Sequence, residues 1–205
     1  MVHEPTGEDE AAKRHKASND FNLSRATAIN TYADLERMLG LLFVHLLGAK
    51  SHKFGFVAFS AILNNRARIH TIGKLIALSY GEEYDAFWLS LAKALSGIDD
   101  RRNKIVHWIV LHSSKGGAAF EPNIIALHEH PDMYGDKKLY KKDIDEFIVR
   151  ADFYRLLVFY FDTHLKFPDA PENPATTPWK IIFSQRVTYP PDAKHPLYGA
   201  MRSVR

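Results

Sequence analysis

The stretch richest in ionisable side chains is "DDRRNKIVHW", residues 99–108, inside an otherwise helical pattern. Arg102 is followed directly by Asn103 and, five positions on, by His107. On a helix Asn103 and His107 share one face, because residues four apart are neighbours, and Arg102 lies about 100° round from Asn103. The long arginine side chain can reach across that angle. The spacing therefore predicts a small cluster of a guanidinium, an amide and an imidazole.

These three groups suit the cleavage of a phosphodiester that lies beside a 2'-hydroxyl. An imidazole transfers protons near neutral pH, and a guanidinium neutralises charge that develops on phosphate oxygens. The amide can orient either group. This chemistry requires no metal ion, and its substrate would be RNA, because DNA lacks the 2'-hydroxyl. The structural alternative is a helix start with a solvated charge run, in which Asp99 or Asp100 is the N-cap.

Composition excludes several other kinds of site. The chain has no cysteine, so disulfides, thiolate nucleophiles, zinc-thiolate sites and iron-sulfur clusters are ruled out. The sequence contains no GxGxxG, GxxxxGK[ST], GxSxG or HExxH pattern. Nucleotide-fold, serine-hydrolase and zincin chemistry therefore have no support. No cofactor is expected.

Charge and hydropathy indicate a soluble, cytoplasmic chain. The net charge is +3, which permits contact with nucleic acid without demanding it. The first twenty residues hold five acids, three Lys or Arg residues and no apolar run, unlike a secretory signal. The longest apolar stretch, at 38–49, has 12 residues and is too short to cross a bilayer. We therefore expect no membrane partner.

Apolar spacing predicts a mostly helical chain. Apolar residues recur at intervals of three and four residues along 24–48 and 54–79. They do so again after the break at Gly81, in a third helix that Gly97 is expected to split. The last helix begins with a capping-box pattern at Asp143 and ends before Pro168. Between these helices, turn-forming residues over 114–142 predict a β-hairpin or an irregular insertion.

The distribution of charged, apolar and proline residues predicts that the chain has three parts. Residues 1–20 are charged and are expected to be a disordered tail. Residues 21–167 form the helical domain, and residues 168–205, which hold most of the prolines, form an extended tail. Within that tail "WKIIF" at 179–183 is apolar enough to dock on the domain.

"RNKIVH" at 102–107 resembles the R-N-x-x-x-H form of the HEPN signature, in which an arginine is followed after four to six residues by a histidine. The order of elements also resembles that all-helical superfamily over roughly residues 24–166. Two long helices come first, the second with "NNRARIHTIGKL"; the motif opens or interrupts a later helix; and a loop or hairpin leads into a capped final helix.

The resemblance implies an all-α bundle of four or five helices that dimerises and brings two motifs to a composite cleft. It implies a metal-independent endoribonuclease, with relatives acting as toxins or in antiviral defence, so an antitoxin or other protein partner is also expected. Carried over by residue, Arg102 would contact the scissile phosphate, Asn103 would support the site and His107 would be the general acid and base. Many HEPN proteins only bind nucleotides, so a non-catalytic dimer that binds a nucleotide or a protein remains the alternative.

Other charged residues are weaker candidates. Arg66 and Arg101 are predicted substrate-binding residues, although Arg66 could instead pair with a carboxylate, and Asp99 or Asp100 could pair with Arg101 or Arg102. His128 and His130 would share one face of a strand, which is two ligands without a third for a metal. His45 and His70 lie on apolar stripes and are predicted to be buried. A basic cluster comprises Lys137, Lys138, Lys141 and Lys142.

Overall fold

The structure, a computed structural model, describes residues 7–113, 121–126 and 138–202. It is 71% helix and 5% strand, which confirms a mostly helical chain. The described ranges contain seven helices and three strands. In chain order these are α1 (Gly7–Leu46), α2 (His52–Ala61), α3 (Asn65–Tyr80), α4 (Asp85–His107), β1 (Ile109–Ser113), β2 (Glu121–Ile125), β3 (Leu139–Tyr140), α5 (Lys141–Lys166), α6 (Trp179–Phe183) and α7 (Tyr198–Arg202).

The first helix starts earlier than its apolar stripe. α1 begins at Gly7 and includes residues 7–20, where the composition predicts a disordered tail. Three acidic residues occupy its first turn, where the positive end of the helix dipole favours them, and two alanines follow. Local helix preference therefore extends α1 upstream of Phe21, its first buried large side chain.

The single helix predicted over 54–79 is two helices. The chain is extended at Ile62, where α2 ends, and again at Asn64, which precedes α3. The side chain of Asn64 accepts a 2.7 Å hydrogen bond from the amide of Ala67, a good N-cap. This cap starts a new helix, although the apolar spacing runs on across the break.

The helix that carries the motif is continuous. α4 passes through Gly97 without the predicted split and ends at His107. The motif therefore forms the last turns of α4, and does not open or interrupt a helix as expected. Asp99 and Asp100 lie in the helix interior, so neither is its N-cap.

The chain divides into two compact units. The first contains the described residues up to Asn30 and those from Asp100 to Ile148; the second contains Thr31–Asp99 and the described residues from Val149 onward. α1, α4 and α5 each contribute residues to both units. The motif belongs to the first unit, and Arg66 belongs to the second.

The first unit contains the sheet, whose strand order is β1-β2-β3. β1 and β2 are antiparallel, with Ile109 opposite Ile125, and β3 pairs antiparallel with β2. β2 and β3 lie within 114–142, where turn-forming residues predict a β-hairpin or an irregular insertion, whereas β1 precedes that range. The large apolar side chains buried in this unit are Phe21, Ile105, Ile124, Ile125, Ile144 and Phe147.

The second unit has an aromatic core that includes part of the tail. The ring of Phe183, in α6, packs 4.9 Å from that of Phe87 and 5.1 Å from that of Phe161, and Phe183 is fully buried. Trp179 stacks on Tyr160 at 4.5 Å. The tail is therefore not wholly extended: "WKIIF" docks as a short helix, because burying its rings outweighs the extended preference of the prolines around it.

Within the described ranges, none of the helices combines the length and the apolar character that crossing a membrane requires.

Candidate functional site

The three motif residues lie together in the last turns of α4. Nη1 of Arg102 donates a 3.0 Å hydrogen bond to Oδ1 of Asn103, so the amide holds the guanidinium from the adjacent position. Arg102 is half-buried, and Asn103 and His107 are exposed. The imidazole of His107 makes no hydrogen bond or ion pair to any described residue. His107 is also exposed, so no described residue has to be displaced before a ligand reaches its ring nitrogens.

A residue from α1 closes the end of α4. Arg25 donates from Nε to the carbonyl of Ile105 at 2.7 Å, and from Nη2 to the carbonyls of Val106 and Trp108 at 2.9 and 3.0 Å. The last carbonyls of a helix have no partner within the helix, so this guanidinium satisfies groups that would otherwise need water. Burial lowers the pKa of Arg25. Arg25 thereby links α1 to the turn that carries His107.

The sequence analysis did not single out Arg25. It lies 80 residues before Ile105, and its three acceptors are backbone atoms. No short motif marks such an arginine, because a carbonyl acceptor has no residue identity. The only local hint is a basic residue in the middle of a long amphipathic helix.

The predicted substrate ligand Arg101 is engaged by a carboxylate. Its Nη2 lies 3.5 Å from Oδ1 of Asp143, and Oδ2 of Asp143 accepts a 2.9 Å hydrogen bond from the amide of Tyr140. α5 begins at Lys141, so Tyr140 is its N-cap and Asp143 is the third residue of the helix. The side chain of Asp143 bonds the N-cap amide, and Asp143 is therefore not itself the N-cap. Asp143 neutralises much of the charge that Arg101 would offer to a phosphate.

Two other residues that the sequence analysis singled out, Asp99 and Arg66, lie in the second unit. Asp99 accepts a 2.5 Å hydrogen bond from the hydroxyl of Tyr32, so this carboxylate has a structural partner. Arg66 is exposed on α3 and lines a cavity of about 470 Å³. His70 lines the same cavity and is also exposed, which corrects the expectation that it is a core residue. His45 is half-buried and binds Asp162 at 2.7 Å.

The remaining candidates are the possible metal ligands and the basic cluster. Among the described residues, no group of three His, Asp or Glu side chains is placed to hold a metal ion. His128, His130 and Lys137 lie outside the described residues. Lys141 pairs with Asp145 at 2.6 Å along α5, a short-range contact typical of a solvated helix face.

Comparison with known proteins gives no relative. No protein-family model, no curated protein and no solved structure matches this chain. The arrangement of side chains is therefore the basis for any functional inference.

Proposed function

We propose that this chain is a metal-independent endoribonuclease of the HEPN type. The observation that carries the proposal is the placement of Arg102, Asn103 and His107 in the last turns of α4, with the guanidinium bonded to the amide and the imidazole exposed. A solvated charge run would not require the hydrogen bond between the guanidinium and the amide. The resemblance of "RNKIVH" to the HEPN signature supports the same conclusion.

The proposed reaction is an attack of a ribose 2'-hydroxyl on the adjacent phosphorus. His107 removes the hydroxyl proton, the new O–P bond forms, and the bond to the 5'-oxygen breaks. The proton passes through His107 to the leaving 5'-oxygen, so the products are a 2',3'-cyclic phosphate and a 5'-hydroxyl. Arg102 neutralises the charge that grows on the phosphate oxygens in the transition state.

Asn103 and Arg25 have positioning roles in this proposal. Asn103 accepts from Arg102 and limits its rotamers, and Arg25 holds the backbone of the turn to which His107 belongs. Ordering the catalytic groups before the substrate binds lowers the entropic cost of the reaction. Arg101 contributes less to RNA binding than the sequence suggests, because Asp143 is its partner.

We further propose that two copies of the chain associate and form a composite site, with a toxin or defence role. Basic surfaces bind the RNA backbone through charge, so binding should weaken as salt increases. An antitoxin would be a protein that covers the exposed side chains of Asn103 and His107.

The test is cleavage of an end-labelled single-stranded RNA by purified wild-type protein and by His107→Ala. Loss of the general acid and base is expected to slow cleavage by about 10²- to 10⁴-fold, with unchanged circular dichroism and melting temperature. The product should carry a cyclic phosphate, DNA of the same sequence should stay intact, and EDTA should have no effect.

Lys104→Ala is the matched control, since it removes an exposed charge from the same turn. If His107→Ala cleaves as fast as wild type, the assignment of this site is wrong. If wild-type protein leaves RNA intact while Arg102→Ala abolishes dimerisation or nucleotide binding, the chain is instead a non-catalytic binding protein.

A further inference from the structure

The second unit contains a cavity between α3 and α4 that the proposed RNA cleavage does not use. Its volume is about 470 Å³, within the size range of small-molecule sites. The two helices form its opposite walls, and all its lining residues belong to Thr31–Asp99. It is therefore a feature of this unit alone.

One wall carries three basic side chains that have no partner among the described residues. Arg66, His70 and Lys74 are four residues apart on α3, so they lie along one stripe of the helix. All three are exposed, and none makes a hydrogen bond or ion pair with another described residue. Elsewhere Arg68, on the same helix, does pair with Glu36 at 3.1 Å. The stripe is thus available to bind an anion.

The floor of the cavity is apolar and includes an indole. Trp88 lies so close to Gly73 that a Cβ at Gly73 would come within 2.6 Å of the indole nitrogen. Glycine at this position therefore lets the indole lie against α3. The indole N–H makes no hydrogen bond within the described part of the chain. Further apolar lining comes from Ile69, Ala77, Leu89 and Ala92.

A buried acceptor at one end of the cavity also lacks a partner. The amide of Asn65 donates at 3.1 Å to the hydroxyl of Tyr32, which in turn donates to Asp99. This chain directs the amide nitrogen toward Tyr32 and leaves Oδ1 of Asn65 buried without a hydrogen bond. A buried acceptor without a hydrogen bond destabilises the chain, and a donor on a ligand would supply the missing bond.

The geometry points to a binding site for a small aromatic anion, which is a flat ring body that carries one phosphate or carboxylate group. The ring would contact Trp88 and the apolar floor, and the anionic group would face the stripe of Arg66, His70 and Lys74. A donor on the ring would meet Asn65. The opposite wall carries Asp85 and Asp99, so the anion belongs on the α3 side, where like charges are absent.

The test is calorimetric titration of the full chain with 1-naphthyl phosphate, 1-naphthoate and 1-naphthol. We expect at least one of the two anions to bind with a Kd of about 1 mM or lower, and the uncharged naphthol to bind about tenfold more weakly. The tighter of the two anions identifies the preferred group. Equal binding of all three, or no binding of either anion, would overturn the proposal.

Variants locate the site. Arg66→Ala and Lys74→Ala are each expected to weaken anion binding about tenfold, the size of one charge-assisted hydrogen bond. Lys93→Ala, which removes an exposed charge of α4 outside the cavity lining, is expected to leave binding unchanged. Ala92→Leu fills the cavity and should weaken all ligands; if it fails to fold, the two charge variants still decide. An equal effect of Lys93→Ala and Arg66→Ala would contradict this site, whatever the outcome for RNA cleavage.

Discussion

Nε of Arg25 donates a 2.7 Å hydrogen bond to the carbonyl oxygen of Ile105, in the turn that ends α4. Two further carbonyls accept from Nη2 of the same guanidinium, so one side chain closes the end of the helix that carries the candidate site. Because these acceptors are part-buried, removing the guanidinium would leave them poorly hydrated.

Arg25→Ala should therefore lower the free energy of unfolding by about 1–3 kcal/mol. It should also slow RNA cleavage, because the last turn of α4 would fray and His107 would lose its position. Arg25→Lys should recover only part of both effects, since an ammonium cannot span the three carbonyls with fixed geometry. Urea denaturation and the cleavage assay measure the two effects.

Arg14→Ala is the control for Arg25→Ala, because it also removes an arginine from α1. Arg14 is exposed and pairs with Glu10 at 3.6 Å, and such pairs contribute about 0–1 kcal/mol. Equal destabilisation by the two variants would show that Arg25 has no special structural role.

Arg102→Lys tests whether the guanidinium itself is needed. The substitution keeps the charge but loses the planar group that bonds Asn103, so we expect kcat to fall about 10- to 100-fold with a smaller change in KM. Steady-state kinetics on a short RNA separate these constants. A change confined to KM would indicate that Arg102 only binds substrate.

Two helical glycines should respond oppositely to alanine. A Cβ at Gly73 would lie 2.6 Å from Nε1 of Trp88. Apart from the adjacent residues and the backbone of its own helix, no heavy atom of the described residues would lie within 4 Å of a Cβ at Gly97. Gly73→Ala should destabilise by about 1–3 kcal/mol through overpacking. Gly97→Ala should stabilise by about 0.5–1 kcal/mol through helix propensity. Urea denaturation measures both, and the same sign for both would refute this packing account.

Stability should decrease in mild acid because of two histidines, of which His164 is buried and His195 half-buried. Burial lowers the pKa of His164 and of His195 below 6.5, while acidic neighbours oppose this shift. As pH falls through about 6.5 the unfolded chain binds protons first, so the free energy of unfolding decreases until the folded histidines also protonate. Melting temperatures from about pH 7 to about pH 5 should show this decrease.

His195→Asn separates the contribution of one histidine. In the wild-type chain Nδ1 of His195 accepts a 3.1 Å hydrogen bond from the amide of Leu197. Oδ1 of an asparagine can accept the same hydrogen bond, but asparagine does not titrate. The variant should be less stable overall, because contacts with Phe153 are lost, yet its stability should depend less steeply on pH. Parallel curves for variant and wild type would exclude His195 as a source of the pH dependence.

The mostly helical character of the chain and the position of the candidate motif on a helix could be predicted from the sequence. Apolar residues at intervals of three and four mark α4 and α5, because burial of one helix face is a local, periodic property. The sequence also predicted that Arg102, Asn103 and His107 lie close together, because residues one and four positions apart on a helix are neighbours wherever that helix lies. The HEPN resemblance and the RNA chemistry inferred from it remain proposals.

Other features depended on tertiary contacts. Arg25 binds the carbonyl of Ile105, which lies 80 residues away in the chain, and Arg101 pairs with Asp143 in a different helix. No local sequence pattern predicts either contact. The docking of Phe183 overrides the extended preference of a proline-rich tail, because aromatic burial outweighs local propensity. The cavity beside Trp88 likewise lies between two helices that meet where Trp88 packs against Gly73. Apolar periodicity by itself located the main helical segments, because the burial of one helix face is a local property. The tertiary structure decided several helix bounds and which side chains meet, because those contacts join residues far apart in the chain.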